Sequence, residues 1–290
     1  MKKLTALLLA LALALGMTAC GSTSADSAAA SAADETASAA SAAEESGSAT
    51  DASAALTLTD GVLSVGCEIG YPPMEYFDED GTTPIGFDVE LMTEIASRMG
   101  LELNLVDTAW DGIFAGLDSD KYDMVMSSCS ITEERQNNYL MSNPYCQNAI
   151  ELLVPKGSDI TGIDTVSGKS VAVQGETTAH DYLRNNDTGC EIMSYDKVIN
   201  CFDELKLGRV DAVLTDSVVA AYYLGEDVDN YDVVWVCDDA EPIGVTFKKG
   251  NTALDDEVEK VLDEIAADGT LAEIASKYFG DSSSVDGIRG

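Results

Sequence analysis

Gly86-Phe87-Asp88-Val89-Glu90-Leu91-Met92-Thr93-Glu94-Ile95-Ala96-Ser97-Arg98-Met99 decides the fold of this chain. From Asp88 to Met99 the apolar side chains fall at Val89, Leu91, Met92, Ile95, Ala96 and Met99, a stripe at helical spacing, and Gly100 stops it. Leu63-Ser64-Val65-Gly66-Cys67 precedes it as a strand and ends at the turn Gly70-Tyr71-Pro72-Pro73. Asp78-Glu79-Asp80-Gly81 is a turn between two short extended pieces. Leu101 to Val106 follows as a strand, Trp110 to Leu117 as a second helix, and Tyr122 to Met126 as a third strand. Strand and helix alternate, which predicts an α/β protein with a mostly parallel sheet covered on both faces.

The chain carries an internal echo. Leu117-Asp118-Ser119-Asp120-Lys121-Tyr122-Asp123-Met124-Val125-Met126 is similar to Leu205-Lys206-Leu207-Gly208-Arg209-Val210-Asp211-Ala212-Val213-Leu214. In both, a helix ends at a polar turn and an Asp leads an apolar strand. One strand exits at Ser127-Ser128, the other at Thr215-Asp216. Ligands of open α/β sheets bind beyond the carboxyl ends of strands, so the exits are expected to form opposing walls of a cleft. Near the end, Ala253 to Ala267 and a segment with Leu271, Ile274, Ala275, Tyr278 and Phe279 have the spacing of packing helices.

Met1-Lys2-Lys3 followed by the apolar run Leu4 to Leu15 is an export signal, too short for a permanent span. It ends in Leu15-Gly16-Met17-Thr18-Ala19-Cys20, which resembles a bacterial lipobox with Met17 in place of the usual Leu; Cys20 is the expected lipidation site. Residues 21–55 hold 15 Ala, 9 Ser and 6 acidic residues, with no Lys, Arg or aromatic, and are expected to be a disordered tether. Such a chain spans on the order of 30 Å. The net charge of −36, from 52 acidic and 16 basic residues, makes nucleic acid a poor partner. Cys67, Cys129, Cys146, Cys190, Cys201 and Cys237 contain no Cys-x-x-Cys pair, and His180 is the sole histidine, so no zinc site is expected. Disulfides and buried thiols both remain open for these six. No cofactor is implied.

The run 86–99 matches the signature of family 3 extracellular solute-binding proteins, the receptors that deliver polar amino acids to ABC importers. Ser127-Ser128-Cys129-Ser130-Ile131-Thr132-Glu133-Glu134-Arg135 resembles that family's amino-acid-binding loop. The resemblance covers roughly residues 60–280. It implies a two-lobed periplasmic-binding-protein fold of type II: lobe 1 from 56–147 and 243–280, lobe 2 from 152–238, a C-terminal tail 281–290, and a two-strand hinge near Ala149–Leu153 and Asp238–Ile243. It implies a monomer held to the outer face of the cytoplasmic membrane by its N-terminal lipid, docking on ABC permease subunits.

Carried over residue by residue, the resemblance assigns Arg135 to the ligand carboxylate, where a guanidinium fork fits bidentately. Ser127, Ser128 and Ser130 lie at the strand exit beside it, ahead of a helix that Thr132 could start. Thr177, or Thr178 after a one-residue shift, is the contact from the loop Gln174-Gly175-Glu176. Asp216 is the partner of the α-ammonium, with helix capping as its plainer role. Tyr71 and Trp110 wall the side-chain pocket. Glu68, three residues before Tyr71, occupies the position where members that take Lys, Arg or His carry an acid. It favours a basic ligand, slightly, over glutamine or cystine and repels glutamate. His180 is expected to face solvent. The alternative is an enzyme on the same scaffold, a cyclohexadienyl or arogenate-type dehydratase, with Glu68 or Glu176 as its acid or base. No nucleophile motif or phosphate-binding glycine loop supports catalysis.

Overall fold

The computed structural model describes residues 56–227 and 229–289. The export signal, Cys20 and the tether fall outside them.

Two five-stranded sheets form the frame. The first contains β1 (Val62–Cys67), β4 (Glu102–Asp107), β5 (Met124–Val125), β6 (Leu140–Met141) and β12 (Thr246–Phe247), in the order β4-β1-β5-β12-β6. The second contains β7 (Ile150–Pro155), β8 (Ser170–Gln174), β9 (Glu191–Tyr195), β10 (Ala212–Asp216) and β11 (Tyr231–Val236), in the order β9-β8-β10-β7-β11. β1 pairs in parallel with β4 and β5, and β8 with β9 and β10. The fourth strand of each sheet, β12 or β7, runs against both of its neighbours. Each sheet therefore has four strands in one direction and one reversed, in the same place. A small hairpin, β2 (Tyr76–Phe77) with β3 (Pro84–Ile85), flanks the acidic turn.

The echo has a physical cause. β5 and β10 hold equivalent third positions, and the Asp before each bonds the second strand, β1 or β8, in the same way. Asp123 accepts from Ser64 N at 2.7 Å and donates its own N–H to Ser64 O at 2.9 Å. Asp211 accepts from Ser170 N at 2.8 Å and donates to Ser170 O at 2.9 Å. Each carboxylate locks the strand into register at its start. β5 is shorter than the sequence suggests, and Tyr122, outside it, lies with its ring over Gly66 and Gly116. A Cβ at those glycines would lie 2.5 Å and 2.2 Å from its side chain.

The helical stripe forms α1 (Phe87–Met99), ended by Gly100 in the left-handed region at φ 69°. Leu91, Met92 and Ile95 pack with α7 (Thr252–Ala267) and α8 (Thr270–Phe279) beneath one face of the first sheet. Each such side chain contributes about 2 kcal/mol of burial. α2 (Trp110–Asp118) covers the other face through Ile113 and Leu117. In the second sheet, Ala212 and Leu214 face α4 (Thr178–Asn185), while Val213 faces the cluster holding Phe202 and Leu205 of α5 (Val198–Lys206). That is the period-two alternation of a strand buried on both sides.

The chain crosses between the sheets at 142–149 and 237–245. The first crossing comes earlier than Ala149–Leu153, since Ile150 already pairs with Asp216. The last residues are packed rather than trailing. Ser284 O accepts from Gln147 N, and Val285 is buried. Arg289, its side chain 2% exposed, bonds Glu259, Asp263 and the carbonyls of Asn143 and Pro144. All six described cysteines are free thiols, four of them buried. No described helix is long and apolar enough to cross a membrane, and the described residues hold no cluster suited to a metal.

Candidate functional site

Four strand ends converge on one cavity of about 330 Å³ of empty space. The exit of β1 supplies Glu68 and Tyr71, and that of β5 supplies Ser127, Ser128 and Ser130. β8 supplies Gln174 and the turn to Thr177 and Thr178, and β10 ends in Asp216. Trp110, the first residue of α2, and Arg135, on α3 (Glu133–Asn138), complete the lining. All nine residues assigned from the sequence therefore surround the same space.

On the first wall, Thr132 caps α3 by accepting from Arg135 N at 3.1 Å. The Arg135 side chain donates to Ser130 O at 2.8 Å, and its guanidinium lies 5.2 Å from the Trp110 ring and 5.5 Å from Phe114. Among the described residues it forms no ion pair. Two aromatic faces and one carbonyl thus hold the fork, and its remaining N–H groups stay available for an anion. Ser128 sits at φ 49°, a conformation sparsely populated by non-glycine residues. Its Oγ is buried with no partner.

On the second wall, Asp216 is 6% exposed. It accepts from Tyr71 Oη at 2.7 Å and from Asn148 Nδ2 at 2.8 Å. Its side chain does not cap α6 (Ser217–Asp227); Asn148 Oδ1 accepts from Ser217 N instead. Burial pushes the Asp216 carboxyl up, offset in part by Tyr71, Asn148 and the charge of Arg135. Thr177 caps α4, accepting from His180 N and donating to Gln174 O. Thr178 donates to Glu241 Oε2 at 2.6 Å. Both hydroxyl protons are thereby committed within the protein. His180 does not project freely into solvent. It is half-buried, and its Nδ1 accepts from Glu176 N, which stands at φ 61°.

Glu68 is 3% exposed and points inward. It accepts from Gln174 Nε2 at 2.6 Å and Trp110 N at 3.2 Å. Burial raises its carboxyl, while Gln174, Trp110 and the charge of Lys197 lower it. Gln174 Nε2 also donates to Asp196 O at 3.1 Å, which fixes the amide orientation. Gln174 Oε1 then faces away from both acceptors, buried and without a partner. An acceptor so placed calls for an N–H donor.

Several contacts join the walls: Tyr71 with Asp216, Gln174 with Glu68, Trp110 Nε1 with Glu176 O at 2.9 Å, and Lys197 Nζ with Ile69 O at 3.2 Å. Glu241, from the second crossing, accepts from Ser130 on one side and Thr178 on the other. Gln174, Lys197, Asn148 and Glu241 were missed as site residues. Gln174 stood in the quoted loop without a role. Asn148 and Glu241 lie in crossings with no periodic pattern.

A family model described as bacterial extracellular solute-binding proteins, family 3, matches residues 63–281. The chain belongs to that family. It is 35% identical over 222 residues to the L-cystine-binding protein TcyJ of Escherichia coli (strain K12), covering 76% of this chain and 83% of the relative. It is 34% identical over 224 residues to the L-cystine-binding protein TcyA of Bacillus subtilis (strain 168), covering 76% and 82%. A solved ancestral arginine-binding protein bound to arginine superposes with a TM-score of 0.72 at 36% identity, covering 76% of this chain and 99% of that one. Members of the family among its relatives are amino-acid-binding proteins of ABC transporters, not enzymes, and the two-lobed α/β fold is shared with the solved structures. The chain is accordingly an extracellular solute-binding protein of this family rather than an enzyme, which leaves the dehydratase alternative without support.

Proposed function

We propose that this protein captures L-cystine between two closing lobes, 56–147 with 243–280 and 152–238, and presents it to an ABC permease. The observation that carries the reading is the paired chemistry of the cavity. Arg135, without an ion pair among the described residues, suits an α-carboxylate, and buried Asp216 opposite suits an α-ammonium. Ser128 supplies a further hydroxyl beside the carboxylate. At the far end, Glu68 and the orphan Gln174 Oε1 form an acceptor pair, with Lys197 close enough to act on Glu68. Cystine ends there in a second ammonium, which these acceptors complement, beside a second carboxylate. The two cystine-binding relatives support the same choice.

The second reading is a basic amino acid: arginine, lysine, histidine or ornithine. Glu68 favours it, as does the solved relative bound to arginine. Glutamine stays in the same panel. Thermal unfolding in the presence of each standard L-amino acid, ornithine and cystine separates these readings, because a ligand that binds only the folded state raises the melting temperature in step with its affinity. L-cystine is expected to give the largest shift. A larger shift with arginine would select the second reading, and no shift with any compound would overturn both.

Lobe closure is favoured only by ligand contacts made to both walls. The reading includes a monomer tethered through lipid on Cys20. Substituting Cys20→Ala is expected to move the protein from the membrane fraction to the soluble envelope or medium on cell fractionation. Retention in the membrane would remove the lipid anchor from the proposal.

A further inference from the structure

The Gly86-Phe87-Asp88 run does more than open a helix. Gly86 stands at φ 133°, and a Cβ there would lie 2.1 Å from Met74 O. The N–H groups of Phe87 and Asp88 donate to Pro73 O and Met74 O, both at 2.9 Å. This close approach sets the backbone of Met74 and Glu75 against the start of α1. Glu75 and Asp88 are both fully buried, at 0% exposure.

Their four carboxyl oxygens can be accounted for one by one. Glu75 Oε1 accepts from Ser127 Oγ at 2.5 Å. Asp88 Oδ2 accepts from Ser128 N at 2.9 Å and from Tyr145 Oη at 3.0 Å. Glu75 Oε2 and Asp88 Oδ1 have no donor. The two carboxyls are bonded to the consecutive residues Ser127 and Ser128, and the charge of Asp88 acts on Glu75. Among the described residues, no Lys or Arg bonds either carboxyl. Two adjacent buried carboxylates cannot both stay ionised without a cation.

We propose that Glu75 and Asp88 share one proton, and that this acid pair is a positioning element for the ligand loop 127–130. Ser127 donates to Glu75 while accepting from Glu68 N at 3.0 Å. Ser128 is held at its unusual φ by Asp88. The two serines under the proposed carboxylate site are thus anchored on one proton. The titratable groups facing the pair are Glu68 and Cys67 from the β1 end, Tyr71 beyond it, and Tyr145 and Cys146 from the first crossing. None of these is a cation, so a second negative charge has no offset. Burial pushes Asp88 up to about 7, and burial together with the Asp88 charge raises Glu75 well above its ordinary range. The folded protein therefore holds more protons than the unfolded chain above the usual carboxylate range. Its stability falls as pH rises through the folded values.

This role rests on the amino-acid-binding reading only for its ligand readout. The experiment compares the wild-type protein with Glu75→Gln and Glu75→Leu by infrared difference spectroscopy, thermal unfolding against pH, and calorimetry with L-cystine and L-arginine. The wild type minus Glu75→Gln spectrum at neutral pH is expected to show a protonated-carboxyl C=O band. The Gln amide donates to Asp88 at every pH, so the variant should lose much of the alkaline fall in melting temperature. For whichever probe binds, wild-type affinity should weaken about tenfold relative to Glu75→Gln for each pH unit above the shared titration. Taking that ratio cancels the ligand's own titration. Glu75→Leu, which bonds neither Ser127 nor Asp88, should bind weakly at all pH values. Absence of the difference band, or an unchanged pH slope in Glu75→Gln, would overturn the proposal. Both of these remain decisive if neither probe binds or if Glu75→Leu does not fold.

Discussion

Arg135→Ala is expected to weaken amino-acid binding by about 2–5 kcal/mol, the cost of stripping the partner from a buried charge. That corresponds to a rise in Kd of roughly thirtyfold to several thousandfold. In the protein alone the side chain makes one hydrogen bond to a backbone carbonyl and two ring contacts. Its removal should therefore cost stability only about 1 kcal/mol. The combination is diagnostic: affinity collapses while the unfolding midpoint barely moves. Arg135→Lys keeps the charge but loses the planar fork and the ring stacking, and should lie between the two. Calorimetry with L-cystine and L-arginine, beside urea unfolding, reads both quantities. Wild-type affinity in Arg135→Ala would remove the guanidinium from the site.

The site was legible where chemistry is carried by residue type within a short motif. Arg135 could be recognised because Ser130, Ile131 and Thr132 precede it, and Thr132 does cap the helix that aims it. The pairing of lobes was legible in Asp123 and Asp211, because each makes the same two bonds to the second strand of its sheet. What the chain does not display locally is how distant segments meet. Asn148 and Glu241 sit in crossings whose course is set by both sheets, and nothing in their neighbours marks them. Tyr122 has the pattern of a strand residue, yet it lies outside β5, with its ring over two glycines far apart in sequence. The roles of Glu68 and Gln174 depend on one hydrogen bond across the cleft, between residues more than a hundred positions apart. Glu75 passed unnoticed for the same reason: Asp88 belongs to the helix motif, and only the fold shows that the two carboxyls are bonded to consecutive residues, Ser127 and Ser128.

Asp216→Asn should separate binding from stability in opposite directions. The carboxylate is buried, and burial dominates its environment, so its pKa stands above the ordinary carboxylate value. Between those two values the folded protein binds more protons than the unfolded chain, and stability falls as pH rises. An Asn there carries no charge to desolvate. Its Oδ1 can accept from Asn148 Nδ2, and its Nδ2 can donate to the Tyr71 hydroxyl, so both present neighbours keep a partner. The variant should be at least as stable as the wild type at pH 4 and increasingly more stable toward neutrality. Binding should move the other way. An α-ammonium facing a neutral amide loses its charge partner in a desolvated cavity, a cost of about 2–5 kcal/mol, so affinity for the amino acid should fall at least about thirtyfold. Tyr71 cannot replace the lost charge, because burial, the largest cause of its raised phenol, remains in the variant and keeps it protonated. Paired melts and titrations across that pH range test both halves. A variant that is destabilised at neutral pH, or that binds as the wild type does, would show that Asp216 serves the hinge rather than the ligand.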